Sequence, residues 1–351
     1  MSTVEVPLRA TESRFDAVAL VDEISGWLDR PADEVDHELD GERRRLCDGI
    51  ASVNDGAADG DRQAHYCQQL LLSRIYSQIM RIPDRPTAEG SVVLHEITRL
   101  LERATAAAED ARLAPDAFDR MPTEPREYLS WLKRTARAHR VFKHPYYTDF
   151  IKNHATVEDL RDYVIQESVV DGRFDDLLAM MQVGTSGAAK LEIAHNFWDE
   201  MGNGNPDEVH TSLFNRIFEV FEVTPQELER GLTANALLNG NLAVLVCRYR
   251  GLYPEAVGLM GMTEWLVPDR FVHVVRAWER LGLPEVGIVY HRLHITIDSK
   301  HAAGWFHDVV VPAADSPTMR RGIARGALWR LNSSGRYLDE RERSRLRVTT
   351  G

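Results

Sequence analysis

Apolar residues return every three or four positions along almost the whole of this 351-residue chain, a period that suits helices and leaves little room for strands. Phe15, Val18, Val21, Ile24 and Leu28 keep the spacing. So do Leu71, Ile75 and Ile79, and then Val93, Ile97 and Leu101. Thr224-Pro225-Gln226-Glu227 reads as a capping box with Pro at the first helical position, and Asn205-Pro206-Asp207-Glu208 as a further helix start. No run alternates as a half-buried strand does, and no internal repeat of fixed period appears. The expected fold class is all-α.

Two polar stretches break the pattern. Residues 51–62, rich in Gly, Asp and Ala, read as a loop between two N-terminal helices, and residues 114–125 as a second break. The expected organisation is an N-terminal helical region at 1–122, serving packing or dimerisation, a main domain at 123–340, and a solvated tail at 341–351. Composition narrows the function classes. The net charge of −12 argues against a nucleic-acid partner, whose phosphates are bound by cations, but leaves room for a local basic pocket. Three scattered cysteines, Cys47, Cys67 and Cys247, make neither a disulfide framework nor a zinc knuckle. No apolar run approaches the ~18–20 residues of a membrane span, and the N-terminus lacks the layout of a secretory signal. A cytoplasmic location and no membrane partner are the expectations.

The chemistry concentrates in GIVYHRLHITIDSKHAAGWF, residues 287–306. His294, Asp298 and His301 are spaced H-x3-D-x2-H. At about 100° per residue, Asp298 lies ~40° and His301 ~20° from His294, so all three project from one helical face. His291 points nearby, whereas His307 falls on another face. Two imidazoles and a carboxylate make a poor apolar core, and a divalent metal satisfies all three. The imidazole and carboxylate mixture suits iron or manganese. The alternative is an exposed polar stripe that happens to contain histidines.

A bundle site draws ligands from facing helices. KLEIAHNFWDEMGNGNPDEVHTSLF, residues 190–214, offers Glu192, His195, Asp199, Glu200, Asp207, Glu208 and His210. Asp207 and His210, three apart on one helix, can face one point, and Gly202-Asn203-Gly204 lets the backbone bend. In AVGLMGMTEWLVPDRF, residues 256–271, Glu264 is a lone acid in an apolar helix that should end before Pro268. It is either a metal ligand or an arginine-paired core acid.

Together these segments, with HPYYTDFIKNHATVEDLRDYVIQE before them, resemble the haem-oxygenase-like diiron oxidases and oxygenases over roughly residues 140–340. The resemblance implies a haem-oxygenase-like helical bundle holding two irons, cycling between Fe2+ and Fe3+, with O2 as co-substrate and an external electron donor, either a reductase or a chemical reductant. It implies Glu200, His210, Glu264, His294, Asp298 and His301 as ligands, with Glu167 and His291 behind them. Asp207 stands where N-oxygenating members carry an extra carboxylate, usually Glu.

The implied activity is N-oxygenation of an amine, such as an amino-acid side chain or aminoheterocycle, in natural-product biosynthesis by a homodimer. The alternatives are desaturation or oxidative C–C cleavage of an amino or fatty acid, and a non-catalytic iron-binding or assembly role. Haem itself would leave the H-x3-D-x2-H stripe without a purpose, and a thiaminase-like reaction would need a pocket cysteine, for which only Cys247 is available. Arg248, Arg250 and Arg292 are candidates to pair a substrate carboxylate, and Trp198, Trp265 and Trp305 to line a pocket.

Overall fold

The computed structural model describes residues 16–349, so Phe15 and the first residues of the N-terminus lie outside the described residues. Every regular element among the described residues is helical. The chain divides into two compact units, Met1–Ala104 and Thr105–Gly351.

The first unit contains α1 (Ala17–Ser25), α2 (Ala32–Leu39), α3 (Arg43–Ala58), α4 (Arg62–Ser77) and most of α5 (Val92–Asp110). The Asp16 and Asp61 carboxylates accept the first free N–H groups of α1 and α4, and so set where those helices begin. The stretch 51–62 is not a loop. Helix α3 runs through it to Ala58, because Val53 is buried and Gly56 lies close against Ala64. Burial of that face overrides the loop-like composition.

The second unit follows the break at 111–124. Its helices are α6 (Pro125–Ala138), α7 (Val157–Glu167), α8 (Phe174–Gln182), α9 (Gly187–Glu200), α10 (His210–Val220), α11 (Pro225–Gly231), α12 (Ala234–Arg248), α13 (Tyr253–Leu281), α14 (Val289–Gly304), α15 (Val311–Ala313) and α16 (Pro317–Thr349). π-Helical segments lie at Tyr146–His154 and Trp305–Val310. The end of α5 belongs here, where Asp110 pairs with Arg325 at 2.6 Å and Glu109 pairs with Arg336. Helix α16 runs to Thr349, so residues 341–349 are helical, and 350–351 lie outside the described residues.

Helix α13 is the axis of this unit, packed against α12, α14 and α16. It does not stop before Pro268 but continues to Leu281. The proline ring removes one N–H, whose partner in a regular helix would be the carbonyl of Glu264. Burial on both sides of Pro268, from Met262 and Leu266 to Phe271 and Val274, holds the helix together across that gap. The approach to α16 is close enough to need glycine. A Cβ on Gly258 would lie 1.9 Å from the Ile323 carbonyl oxygen, and one on Gly326 would lie 2.0 Å from that of Glu255.

These contacts give a test. Gly258→Ala and Gly326→Ala should each lower stability by about 2 kcal/mol or more, as overpacking does. Gly251→Ala, with open space around its Cβ position, should stay within about 0.5 kcal/mol. Urea midpoints read the difference, and equal midpoints for all three would contradict the packing described.

Candidate metal centre

Four helices of the second unit bring six metal-ligating side chains into two triads, Glu200–His210–His294 and Glu264–Asp298–His301. Within each triad one ligand atom per residue lies within 4.8 Å of the others, and all six residues are buried. The H-x3-D-x2-H stripe lies on one face of α14, as its spacing predicts, and that face is buried. It divides between the triads, His294 to the first, Asp298 and His301 to the second.

The turn after α9 builds the first triad. Gly202 (φ +61°), Asn203 (φ 52°) and Gly204 (φ +86°) are all left-handed, and a Cβ on Gly202 would lie 2.6 Å from the Glu208 backbone. The reversal carries His210, the first residue of α10, back onto Glu200, the last residue of α9. His210 Nδ1 lies 2.8 Å from Glu200 Oε2 without the alignment of a hydrogen bond, and His294 Nε2 lies 3.7 Å from Glu200 Oε1. His294 Nδ1 is engaged by the Tyr290 carbonyl oxygen at 2.7 Å, which leaves Nε2 to face the triad.

In the second triad His301 Nδ1 lies 3.6 Å from Glu264 Oε2 and 3.9 Å from Asp298 Oδ1. Its Nε2 meets Asp199 Oδ2 at 2.9 Å, and the exposed His195 lies beyond Asp199. A carboxylate behind an imidazole fixes the ring's tautomer and aims its other nitrogen, an arrangement common behind metal-bound histidines.

The electrostatics show what the six residues lack. Burial would raise the Glu200 carboxyl, but His210 and His294 outweigh it and hold it at about 2. Asp298 goes the other way, pushed well above the usual carboxylate range by burial and then by Glu264, Glu200 and Asp171. Burial works against protonation of His301, yet Glu264 and Asp199 raise it to about 9. His210 Nδ1, His301 Nδ1, Glu264 Oε1 and Asp298 Oδ1 are buried without hydrogen-bond partners. Crowded carboxylates with unpaired acceptor atoms beside imidazoles are a cation site by their chemistry, and one divalent ion per triad fits the donors present.

The remaining predicted residues fall as follows. Asp207 is not brought to the centre. Helix α10 begins at His210, so Asp207 sits on a separate short 3-10 turn with its side chain 89% exposed, 4.0 Å from Arg216. The carboxylate that does stand beside the centre is Asp171. It is 7% exposed, its Oδ2 has no partner, and its field reaches both Glu200 and Asp298. Sequence reading misses it, because one acid after Val169-Val170 carries no spacing signal. Asp199 is missed as the partner of His301 for a similar reason, since the contact joins residues far apart in the chain.

His291 is fully buried, with neither ring nitrogen partnered, 4.5 Å from the Phe271 ring. Burial, then His294, lowers it to about 3, so it is neutral. Glu167 belongs to neither triad, and its carboxyl is raised by burial against the pull of Arg270 and Arg330. His307 is exposed, as expected. Arg292 pairs with Glu279 and Glu285, Arg250 caps backbone carbonyls, and Arg248 stacks on Tyr249. Cys247 is buried, its thiol pushed up to about 12. Trp305 is core, bonded to the Val257 carbonyl, and Trp198 is half-exposed.

A helical unit whose interior holds paired carboxylate–histidine triads defines a bundle metalloprotein. Residues 161–335 match the family model described as iron-containing redox enzyme, and the chain belongs to that haem-oxygenase-like family. All six triad residues lie inside the match. A comparison with curated proteins finds no match. Among the described residues no helix is long and apolar enough to cross a membrane.

Two measurements test the centre. Anaerobic loading followed by iron analysis should give about two irons per chain. His294→Ala and His301→Ala should each lose iron, while Asp207→Ala should retain it; iron retained by both histidine variants would remove them from the site. The second measurement is proton release. Asp298 is held well above the usual carboxylate range and His301 at about 9, so a dication that takes these groups competes with protons. Adding Fe(II) at pH 7 should therefore release protons to an indicator dye, with fewer released from Asp298→Asn, and affinity should fall as pH falls. Binding without proton release would contradict the assignment.

Proposed function

We propose that this iron-containing redox enzyme holds two irons, one per triad, and uses O2 to N-oxygenate an amine. The observation that carries the reading is the pair of buried triads, with Asp171 as a further carboxylate beside them. That residue supplies what the resemblance seeks at Asp207. Bound iron would supply one-electron chemistry toward O2, and an external reductant would restore its ferrous state.

The protein's own residues set the conditions. Glu200 stays ionised, and Asp199 and the Tyr290 carbonyl orient His301 and His294. The buried rings of Tyr290 and Phe271 pack beside His294, with centroids 4.0 and 6.1 Å away, and keep water from that side. His291, three residues before His294, stays neutral and adds no charge to the centre.

The exposure of Asp207 favours a second reading on the same centre, namely desaturation or oxidative C–C cleavage, in which no extra carboxylate is needed. One assay separates them. The iron-loaded, reduced protein is mixed with 18O2 and a panel of amines, amino acids and fatty acids, and products are read by mass. N-oxygenation places 18O on a nitrogen-bearing product, and Asp171→Asn should lower its yield by at least about tenfold if that carboxylate serves the chemistry. A product two hydrogens lighter, or a cleaved one, would establish the second reading instead.

A further inference from the structure

Side-chain rings run without a break from the first triad to a recess in the same unit. The Tyr290 ring centroid lies 4.0 Å from that of His294, and His291 lies 5.4 Å from Tyr290. Tyr163 follows at 6.0 Å from His291, and Tyr147 at 6.1 Å from Tyr163. Tyr147 lines a recess of about 300 Å³ together with Arg270, Arg276 and Asp269. No triad residue lines that recess, so the rings are what connects the two places.

The hydroxyls along this line are out of keeping with a core that only packs. Tyr147 and Tyr163 are 3% and 0% exposed, and neither hydroxyl completes a hydrogen bond. A buried hydroxyl without a partner costs free energy that phenylalanine would avoid in the same space. Burial, above all, pushes both phenols well above their usual range, so each is neutral. Glu167 stands among them. It follows Tyr163 by four residues, one turn of α7, and its Oε1 is unpaired. Burial raises its carboxyl, while Tyr337 and Tyr147, after Arg270 and Arg330, draw it down, so these hydroxyls lie close to it. Two oxidisable phenols and a carboxylate able to take their protons therefore stand between the triads and the recess.

We propose that Tyr163 and Tyr147 form a relay that passes one electron from a reductant at the recess to the O2-oxidised iron centre when no substrate is bound. The electron leaves Tyr163 and crosses the rings of His291 and Tyr290, and the centre is reduced by one electron. The O–H bond of Tyr163 breaks, its proton passes to the Glu167 carboxylate, and a neutral phenoxyl radical remains. Moving the proton with the electron avoids a buried charge on the phenol. Tyr147 then reduces Tyr163, which takes back the proton held by Glu167, and Tyr147 gives its own proton to Glu167 in turn. A one-electron reductant in solution, such as ascorbate, supplies the last electron, and the proton on Glu167 returns to Tyr147. One electron has moved from reductant to centre, and both phenols and Glu167 are restored. The relay removes an oxidising equivalent that would otherwise attack the ligands. It rests on the proposed use of O2 by bound iron.

The test mixes the iron-loaded, reduced full chain with O2 in the absence of substrate and freezes samples for electron paramagnetic resonance. A tyrosyl signal should appear, and ring-deuterated tyrosine should narrow it. Tyr163→Phe should lower that signal at least about tenfold, and Tyr147→Phe should keep it but slow its removal by ascorbate at least about tenfold. Phenylalanine keeps the ring and its packing while removing the oxidisable group. Tyr128→Phe alters a buried tyrosine off the line, whose hydroxyl donates to the Arg320 carbonyl, and should change neither quantity. After repeated exposure to O2, mass spectrometry should find more oxidation of His294 and Tyr290 in Tyr163→Phe than in the unaltered chain.

A tyrosyl signal unchanged by Tyr163→Phe would overturn the proposal. So would ascorbate decay untouched by Tyr147→Phe. Iron content and O2 uptake, measured on each sample, separate failure of the relay from failure of the metal centre. A chain that takes up iron and consumes O2 with no tyrosyl signal, and with equal oxidation of His294 in every variant, overturns the relay alone. A chain that takes up no iron overturns both readings.

Discussion

Three carboxylates and three imidazoles share the interior of one helical unit, and that burial governs the rest of the structure. Glu200, Glu264 and Asp298 are 2%, 2% and 3% exposed. Carboxylates in such a place cost several kcal/mol each unless a proton or a cation compensates them. His210 and His294 hold Glu200 ionised, while burial and the neighbouring acids push Asp298 well above the usual carboxylate range. A dication per triad would replace this partial solution with a complete one, in keeping with an iron-containing redox family.

Several local features become intelligible as means to that end. The left-handed turn at Gly202-Asn203-Gly204 exists because two residues ten positions apart must meet, and no continuous helix could bring them together. Pro268 stands four residues after Glu264 and frees that residue's carbonyl from its regular helical bond, while packing keeps α13 whole. The close contact between α13 and α16, allowed by Gly258 and Gly326, ties the helix carrying Glu264 and Arg270 to the one carrying Arg330.

Polarity inside the unit is graded. It passes from the triads through Asp171 and Glu167 to the guanidinia of Arg270 and Arg330, and from there to a recess lined by Arg270, Arg276 and Asp269. The arginines first suspected of meeting a substrate behave differently. Arg292 and Arg250 spend their donors on surface acids and backbone carbonyls. Arg270 and Arg330 are buried instead, at positions that only the tertiary structure reveals.

Whatever depends on spacing along one helix was legible in the sequence. The common face of His294, Asp298 and His301, the different face of His307, the capping box at Thr224 and the all-α class follow from a period of 3.6 residues and from unpaired helix ends. The six triad residues were legible as a set only through resemblance to a family, since Glu200, His210 and Glu264 show no spacing that links them to α14. Contacts between helices decided the rest. They determined that Asp171 and not Asp207 stands beside the centre, that Asp199 orients His301, and that α3 and α13 continue through composition and a proline that argue against helix. Periodicity is a property of one element, whereas burial and pairing belong to the surfaces that meet it, and a linear string does not contain those surfaces.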